Sequence, residues 1–169
     1  MAPIICIVGK KRCGKTILIE KLIRELKKRN YKIATLKHDT HGFEVDHPGK
    51  DTWRHAQAGA DSVTISSPWG VTMMKKVEKE WNIDALIALN EDADLIIAEG
   101  FRLSGKPKIE VVWSGRSTEL LSSPEELIAI AADIPFSLEN VPVYHIDDAF
   151  SVANIIEEKI IGNSYSCVR

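Results

Sequence analysis

Gly9-Lys10-Lys11-Arg12-Cys13-Gly14-Lys15-Thr16 is a complete G-x-x-x-x-G-K-[ST] loop, and its flanks decide the fold. Before it, Ile4 to Val8 read Ile-Ile-Cys-Ile-Val, a short apolar run without alternation that predicts a strand buried on both faces of a parallel sheet. After it, Leu18, Leu22 and Leu26 recur at helical spacing within Ile17 to Lys28. A strand, a glycine-bounded loop and a helix together make an anion trap, because loop N–H groups and the helix N-terminus converge on phosphate. Gly9, Lys10, Lys11, Arg12, Cys13, Gly14, Lys15, Thr16 and Ile17 are therefore the candidate nucleotide-binding segment. Lys15 is expected to reach the β- and γ-phosphates, and the Thr16 hydroxyl to ligate Mg²⁺. A chance match would lack the flanking strand and helix. The expected ligand is a nucleoside triphosphate.

The rest of the composition sets limits. A chain of 169 residues suits one domain with a proper core, here expected over 1–169. Its 44% hydrophobic and 27% charged residues are those of a globular protein, and a net charge of −2 speaks against a bulk electrostatic nucleic-acid binder. No apolar run is long enough to span a membrane, and no signal peptide is expected. The three cysteines, Cys6, Cys13 and Cys167, lack a CxxC pairing, so the default compartment is a reducing cytoplasm.

Strand-like and helical runs alternate along the chain, which predicts a three-layer α/β fold with a mainly parallel sheet. Lys32 to Leu36, Leu95 to Ala98, Lys108 to Val112, Ile128 to Ala132 and Val143 to Ile146 read as further strands. Asp51 is expected to cap a short helix that Gly59 ends. Ser62 to Ser66 and Val71 to Lys75 flank Ser67-Pro68-Trp69-Gly70, an antiparallel hairpin over about 62–75 that protrudes as a ribbon. Asp84 to Asn90 is a short helix, and Ser123-Pro124-Glu125-Glu126 is read as a helix start. A last helix near Asp147-Asp148 is expected to bury Val152, Ile156 and Ile160. Residues 162–169 read as a tail.

Ligands of open α/β sheets collect at the C-terminal ends of the strands, so residues there carry the candidate chemistry. Glu99, closing Leu95 to Ala98, is the expected metal-side acid beside Thr16; the alternative is an acid that begins a turn. Lys37-His38-Asp39-Thr40-His41 leaves the second strand at the same edge. Asp39 can ligate Mg²⁺ or orient an attacking water, which makes it a candidate catalytic residue alongside Lys15. His38 and His41 are three apart, a spacing compatible with a metal pair. No cysteine or HExxH accompanies them, so solvated loop histidines or phosphate hydrogen-bond donors are the safer reading. Lys50, Asp51, Thr52 and Arg54 group two cations and a hydroxyl at one helix start, either a second anion site or a surface ion-pair cluster. Asp133 closes the late strand. A carboxylate there can accept the N1–H and N2–H of guanine, donors that adenine does not present, or it can serve as a turn acid.

Four blocks in order are similar to the molybdopterin-guanine dinucleotide biosynthesis protein B family, MobB. They are the phosphate loop; Lys37-His38-x-x-His41 continuing through Asp46, Gly49-Lys50-Asp51-Thr52 and Arg54 to Ala58-Gly59-Ala60; Asp94 to Phe101; and Lys108 to Val112. The second block discriminates, since the loop alone fits many unrelated NTPases. The resemblance spans about residues 3 to 160. It implies a P-loop NTPase fold that binds GTP with Mg²⁺ and forms a homodimer through an extended β element. It also implies a partner, the molybdenum cofactor guanylyltransferase, which attaches GMP to Mo-molybdopterin. A molybdopterin-type cofactor then becomes the expected ligand of Lys37, His38, His41, Lys50, Asp51, Thr52 and Arg54. Two departures stand out. Lys10, Lys11 and Arg12 crowd three cations into a loop that small residues usually fill, and Ala132 precedes Asp133 where a hydroxyl residue is frequent.

Three functions compete on these residues. The first is a GTP-binding accessory protein whose intrinsic hydrolysis is slow, because no water-orienting glutamine or arginine finger is apparent. The second is a small-molecule or nucleotide kinase. It would need arginines on a lid; Arg102 and Arg116 are available, but Gly105-Lys106-Pro107 between them reads as a tight turn. The third is a dimeric scaffold with a structural nucleotide, in which Lys15→Ala loses nucleotide without losing its partner.

Overall fold

Five consecutive buried residues make β1 (Ile4–Val8) a central strand, and the sheet assembles around it. In chain order the elements are β1, α1 (Lys15–Lys28), β2 (Ile33–Lys37), α2 (Asp51–Gln57), β3 (Ser62–Ser67), β4 (Gly70–Lys75), α3 (Ile83–Ala88), β5 (Leu95–Glu99), β6 (Lys108–Val112), β7 (Leu127–Ala132), β8 (Val143–His145) and α4 (Ala149–Ile156). A computed structural model describes residues 1–162, so most of the expected tail, with Cys167, lies outside the described residues. The chain divides into two compact units: Met1–His38 with the chain from Ile83 onward, and Asp39–Asn82.

The larger unit holds a six-stranded sheet in the order β2-β5-β1-β6-β7-β8, with every neighbouring pair parallel. Because successive side chains of a strand point to opposite faces, β1 serves two cores at once. Ile5 and Ile7 pack with Leu18, Leu22 and Leu26 of α1 and with Val152 and Ile156 of α4. Ile4, Cys6 and Val8 pack with Ile83 and Ile87 of α3 and with Ile96 and Ala98 of β5. Helices on both faces of a parallel sheet give the expected three layers, and the continuous apolar strands follow from that double burial. Under β7, Leu127, Ile130 and Ala132 close a third cluster with Val112 and Val141.

Helix α4 begins where Asp148 accepts the Ser151 N–H at 3.0 Å, and it continues into a π-helical turn, Glu157–Ile161. Val152, Ile156 and Ile160 are buried, as their spacing predicts. Arg29, just past α1, ties the two helices together through Glu25 at 3.0 Å, Asn154 at 2.8 Å and Glu157.

One expected helix does not form. Ser123-Pro124-Glu125-Glu126 makes a single 3₁₀ turn, Pro124–Glu126, and Ser123 offers no side-chain cap. Leu127 is already extended, because the apolar run Leu127 to Ala132 has no helical period and joins the sheet beside β6. Glu126 is held instead by the fully buried Lys108 ammonium, whose second partner is the Lys106 carbonyl at 3.1 Å. Glu110, also buried on β6, accepts the N–H groups of Leu121 at 2.6 Å and Ser122 at 2.9 Å. These two charged residues on a buried strand are thus hydrogen-bonded supports for the loop after β6.

The smaller unit contains α2 and the hairpin. Asp51 is the first residue of α2 rather than its cap, a position that Lys50 takes in extended conformation. Gly59 follows the helix at φ 109°, the left-handed conformation expected of a helix stop. β3 and β4 pair antiparallel from Ser62↔Lys75 to Ser67↔Gly70. Ser67 Oγ accepts from the Trp69 N–H at 3.2 Å and fixes the turn. On the ribbon Val63 is buried, whereas Ile65, Val71 and Met73 are exposed and Trp69 is 95% exposed.

Candidate functional site

The phosphate loop is shaped by contacts that only glycine permits at its first position. A Cβ on Gly9 would lie 2.6 Å from the Val111 carbonyl and 2.8 Å from Cys13 Sγ, and its φ is 142°. Gly14, at φ 92°, is the residue from which α1 springs, and Ile146 Cδ1 sits against it. Arg12 takes a left-handed φ of 62°, which turns the loop at an exposed position. Lys15 folds its ammonium back over the loop, donating to the carbonyls of Lys10 at 2.8 Å and Gly9 at 3.1 Å. The cation is therefore held at the loop's rim. Cys13 is buried beneath it, and burial pushes its thiol up despite the neighbouring Lys15, so it is a packing residue and a poor nucleophile.

The three loop cations part company. Lys10 pairs with Glu119 at 3.2 Å, while Lys11 and Arg12 are exposed. Ile17, the last of the expected nucleotide-binding residues, is 59% exposed on the first turn of α1.

Thr16 and Glu99 are brought together. The Thr16 hydroxyl donates to Glu99 at 3.2 and 3.4 Å, across the neighbouring ends of α1 and β5. A hydroxyl and a carboxylate in contact are two hard oxygen ligands, which suits Mg²⁺, a cation that takes its other positions from water and phosphate. Among the described residues no cluster of three His, Cys, Asp or Glu is built for a metal.

Beside Glu99 the backbone is tightly constrained. Gly100 has φ 92°, Phe101 φ 54°, and a Cβ on Gly100 would lie 3.3 Å from that of His38. The His38 N–H donates to the Glu99 carbonyl at 3.0 Å and its ring packs on Phe101 at 5.0 Å, so His38 buttresses the acid's strand end. Lys37, its neighbour, is in register with Glu99.

At the other side of β1 the late-strand acid is held in place. Asp133 accepts the Ser114 N–H at 2.7 Å on one oxygen and the Ser114 hydroxyl at 2.6 Å on the other. Burial pushes this carboxyl up, but the two Ser114 bonds, together with smaller local contributions, leave the group below the ordinary carboxylate range. Asp133 is a fixed, ionised acceptor. The loop after β6 that carries Ser114 also carries Glu119, and so links Asp133 to Lys10 of the phosphate loop. Ser114, Glu119 and Ile146 were not singled out by sequence. For Ser114 and Ile146 the signal was positional, since each lies just past the C-terminal end of a parallel strand, whereas Glu119 lies further along the loop after β6 and had none.

In the smaller unit, Asp39 is exposed and accepts the His41 N–H at 2.8 Å, a local turn. Lys50, Asp51, Thr52 and Arg54 surround the start of α2, where Arg54 lies 3.8 Å from Asp51. That pair is exposed and geometrically weak.

Comparison with known proteins places the chain among relatives of one family. The chain is 31% identical over 157 residues to the molybdopterin-guanine dinucleotide biosynthesis adapter protein of Haemophilus influenzae, covering 92% of this chain and 88% of that protein. It is 30% identical over 164 residues to the protein of the same name from Escherichia coli, covering 94% and 93%. The crystal structure of Bacillus subtilis MobB superposes with a TM-score of 0.74 at 25% identity, covering 94% of this chain and 98% of that one. The pattern of molybdopterin guanine dinucleotide synthesis protein B matches residues 4–133, from the first strand to the late-strand acid, and the chain therefore belongs to the MobB family.

Proposed function

We propose that this protein binds GTP with Mg²⁺ and acts as an accessory to the molybdenum cofactor guanylyltransferase, the partner that attaches GMP to Mo-molybdopterin. Its role lies in molybdopterin guanine dinucleotide biosynthesis. The observation that carries the nucleotide reading is the contact of the Thr16 hydroxyl with Glu99 beside a loop rimmed by Lys15. Loop N–H groups and Lys15 hold the phosphates; Thr16 and Glu99 hold the ion or its waters; Asp133 faces the base. Magnesium supplies charge neutralisation between phosphate oxygens when bound. Hydrolysis is slow, because a water-orienting glutamine is missing from the larger unit: the chain's one glutamine, Gln57, lies on α2. The protein works in the cytoplasm as a homodimer joined through the β3–β4 ribbon. The second unit's His41, Lys50, Thr52 and Arg54 receive an anionic pterin.

Magnesium dependence tests the site. Glu99→Gln keeps the shape and removes the charge. It is expected to weaken GTP–Mg²⁺ binding at least about tenfold, the scale of one lost charge-assisted contact. Chelating Mg²⁺ is expected to reduce the difference between the variant and the unaltered protein. Equal loss with and without Mg²⁺ would show that Glu99 serves the loop rather than the ion.

A further inference from the structure

The ends of β7 and β8 hold a second polar group that the nucleotide reading leaves unused. His145 closes β8 in register with Ala132, the residue before Asp133. Its Nδ1 accepts the Asp147 N–H at 3.2 Å. A neutral imidazole with Nδ1 as acceptor carries its proton on Nε2, so this ring presents a hydrogen-bond donor beside an acid that presents only acceptors. The side chain is 59% exposed. The segment that carries it is anchored against the start of α1: Ile146 Cδ1 meets Gly14, and Asp147 bonds Lys21 at 2.5 Å.

Guanine offers two donors, N2–H and N1–H, followed by the acceptor O6. Adenine offers an acceptor at N1 and a donor at N6, the reverse order. We propose that His145 is a specificity-determining residue that donates from Nε2 to guanine O6 while Asp133 accepts from N1–H and N2–H, with Ser114 as the positioning residue that orients Asp133. This rests on the GTP reading above. The pair reads donor against acceptor along one base edge, so adenine meets like groups at both ends. Each unmade bond leaves a polar atom desolvated, which gives such sites their discrimination.

Calorimetric titration with GTP, ATP, xanthosine triphosphate and 6-thioguanosine triphosphate separates the roles. His145→Phe keeps a planar ring without a donor, and is expected to lower GTP affinity about tenfold with ATP affinity unchanged. 6-Thioguanosine triphosphate, whose sulfur is a weak acceptor, should bind the unaltered protein less tightly than GTP and be indifferent to His145→Phe. Asp133→Asn should shift preference toward xanthosine triphosphate, whose 2-oxo group takes the amide's donor. Ser114→Ala should shrink the GTP-to-ATP ratio, and Ser114→Thr should restore it. A GTP-to-ATP ratio unchanged by His145→Phe overturns the role of His145 and leaves the GTP reading standing. Equal affinity of the unaltered protein for GTP and ATP overturns both.

Discussion

Gly9, Lys15, Thr16 and Glu99 owe their positions to specific contacts. A side chain at Gly9 would strike the Val111 carbonyl, Lys15 is held by two loop carbonyls, and Thr16 donates to Glu99. Around them the carboxylates are poised as acceptors. Lys21 holds Asp147 below the ordinary range, and the Ser151 N–H does the same for Asp148. For Asp133, burial works upward, and the Ser114 bonds lead the contributions that together bring it below the ordinary range. A carboxyl lowered in the folded state contributes stability above its unfolded pKa, about 3.9 for Asp, and loses it as pH falls through the folded value. Urea midpoints should therefore hold from pH 7 to about 5 and fall progressively below about 4. Asp148→Asn should flatten that fall, and an unchanged slope would remove Asp148 from its causes. The phosphate loop was legible because eight adjacent residues spell it. Ser114 and His145 were not, because their partners lie 19 residues away and in a backbone N–H.

Single elements are held by their apolar faces. Leu18, Leu22 and Leu26 are fully buried on α1, so the helix that aims its N-terminus at the phosphate loop depends on that stripe. Leu22→Ala should cost about 2–5 kcal/mol in denaturant unfolding, the usual range for a buried leucine. A cost under about 1 kcal/mol would mean that the α1 face is not load-sharing with the sheet. Periodicity revealed this helix and the strands in advance. The start signal at Ser123 misled: no side-chain cap forms there, a single 3₁₀ turn follows, and the next six residues, which carry no helical period, are β7. The strand itself was legible, since Ile128 to Ala132 reads as an apolar run and β7 spans Leu127–Ala132. The β3–β4 ribbon poses the opposite case. Val71 and Met73 are apolar and exposed on a two-stranded element that cannot be stable by its own pairing alone. If the ribbon joins two copies, Val71→Asp with Met73→Asp should convert a dimer to a monomer in light scattering with the helical signal intact. A dimer that persists would move the interface elsewhere.

At the scale of the whole molecule, a parallel sheet gathers strand ends from distant parts of the chain onto one edge. β1, β5, β6, β7 and β8 bring there the phosphate loop, Glu99, Ser114, Asp133 and His145. Family membership follows from the match over residues 4–133. The nucleotide is the central claim, and one titration addresses it most directly. With GTP, ATP and GDP each titrated calorimetrically in the presence of Mg²⁺, GTP is predicted to bind more tightly than ATP by at least about tenfold, the scale of one or two base-edge hydrogen bonds. Equal affinity for GTP and ATP, or no binding of either, would contradict it.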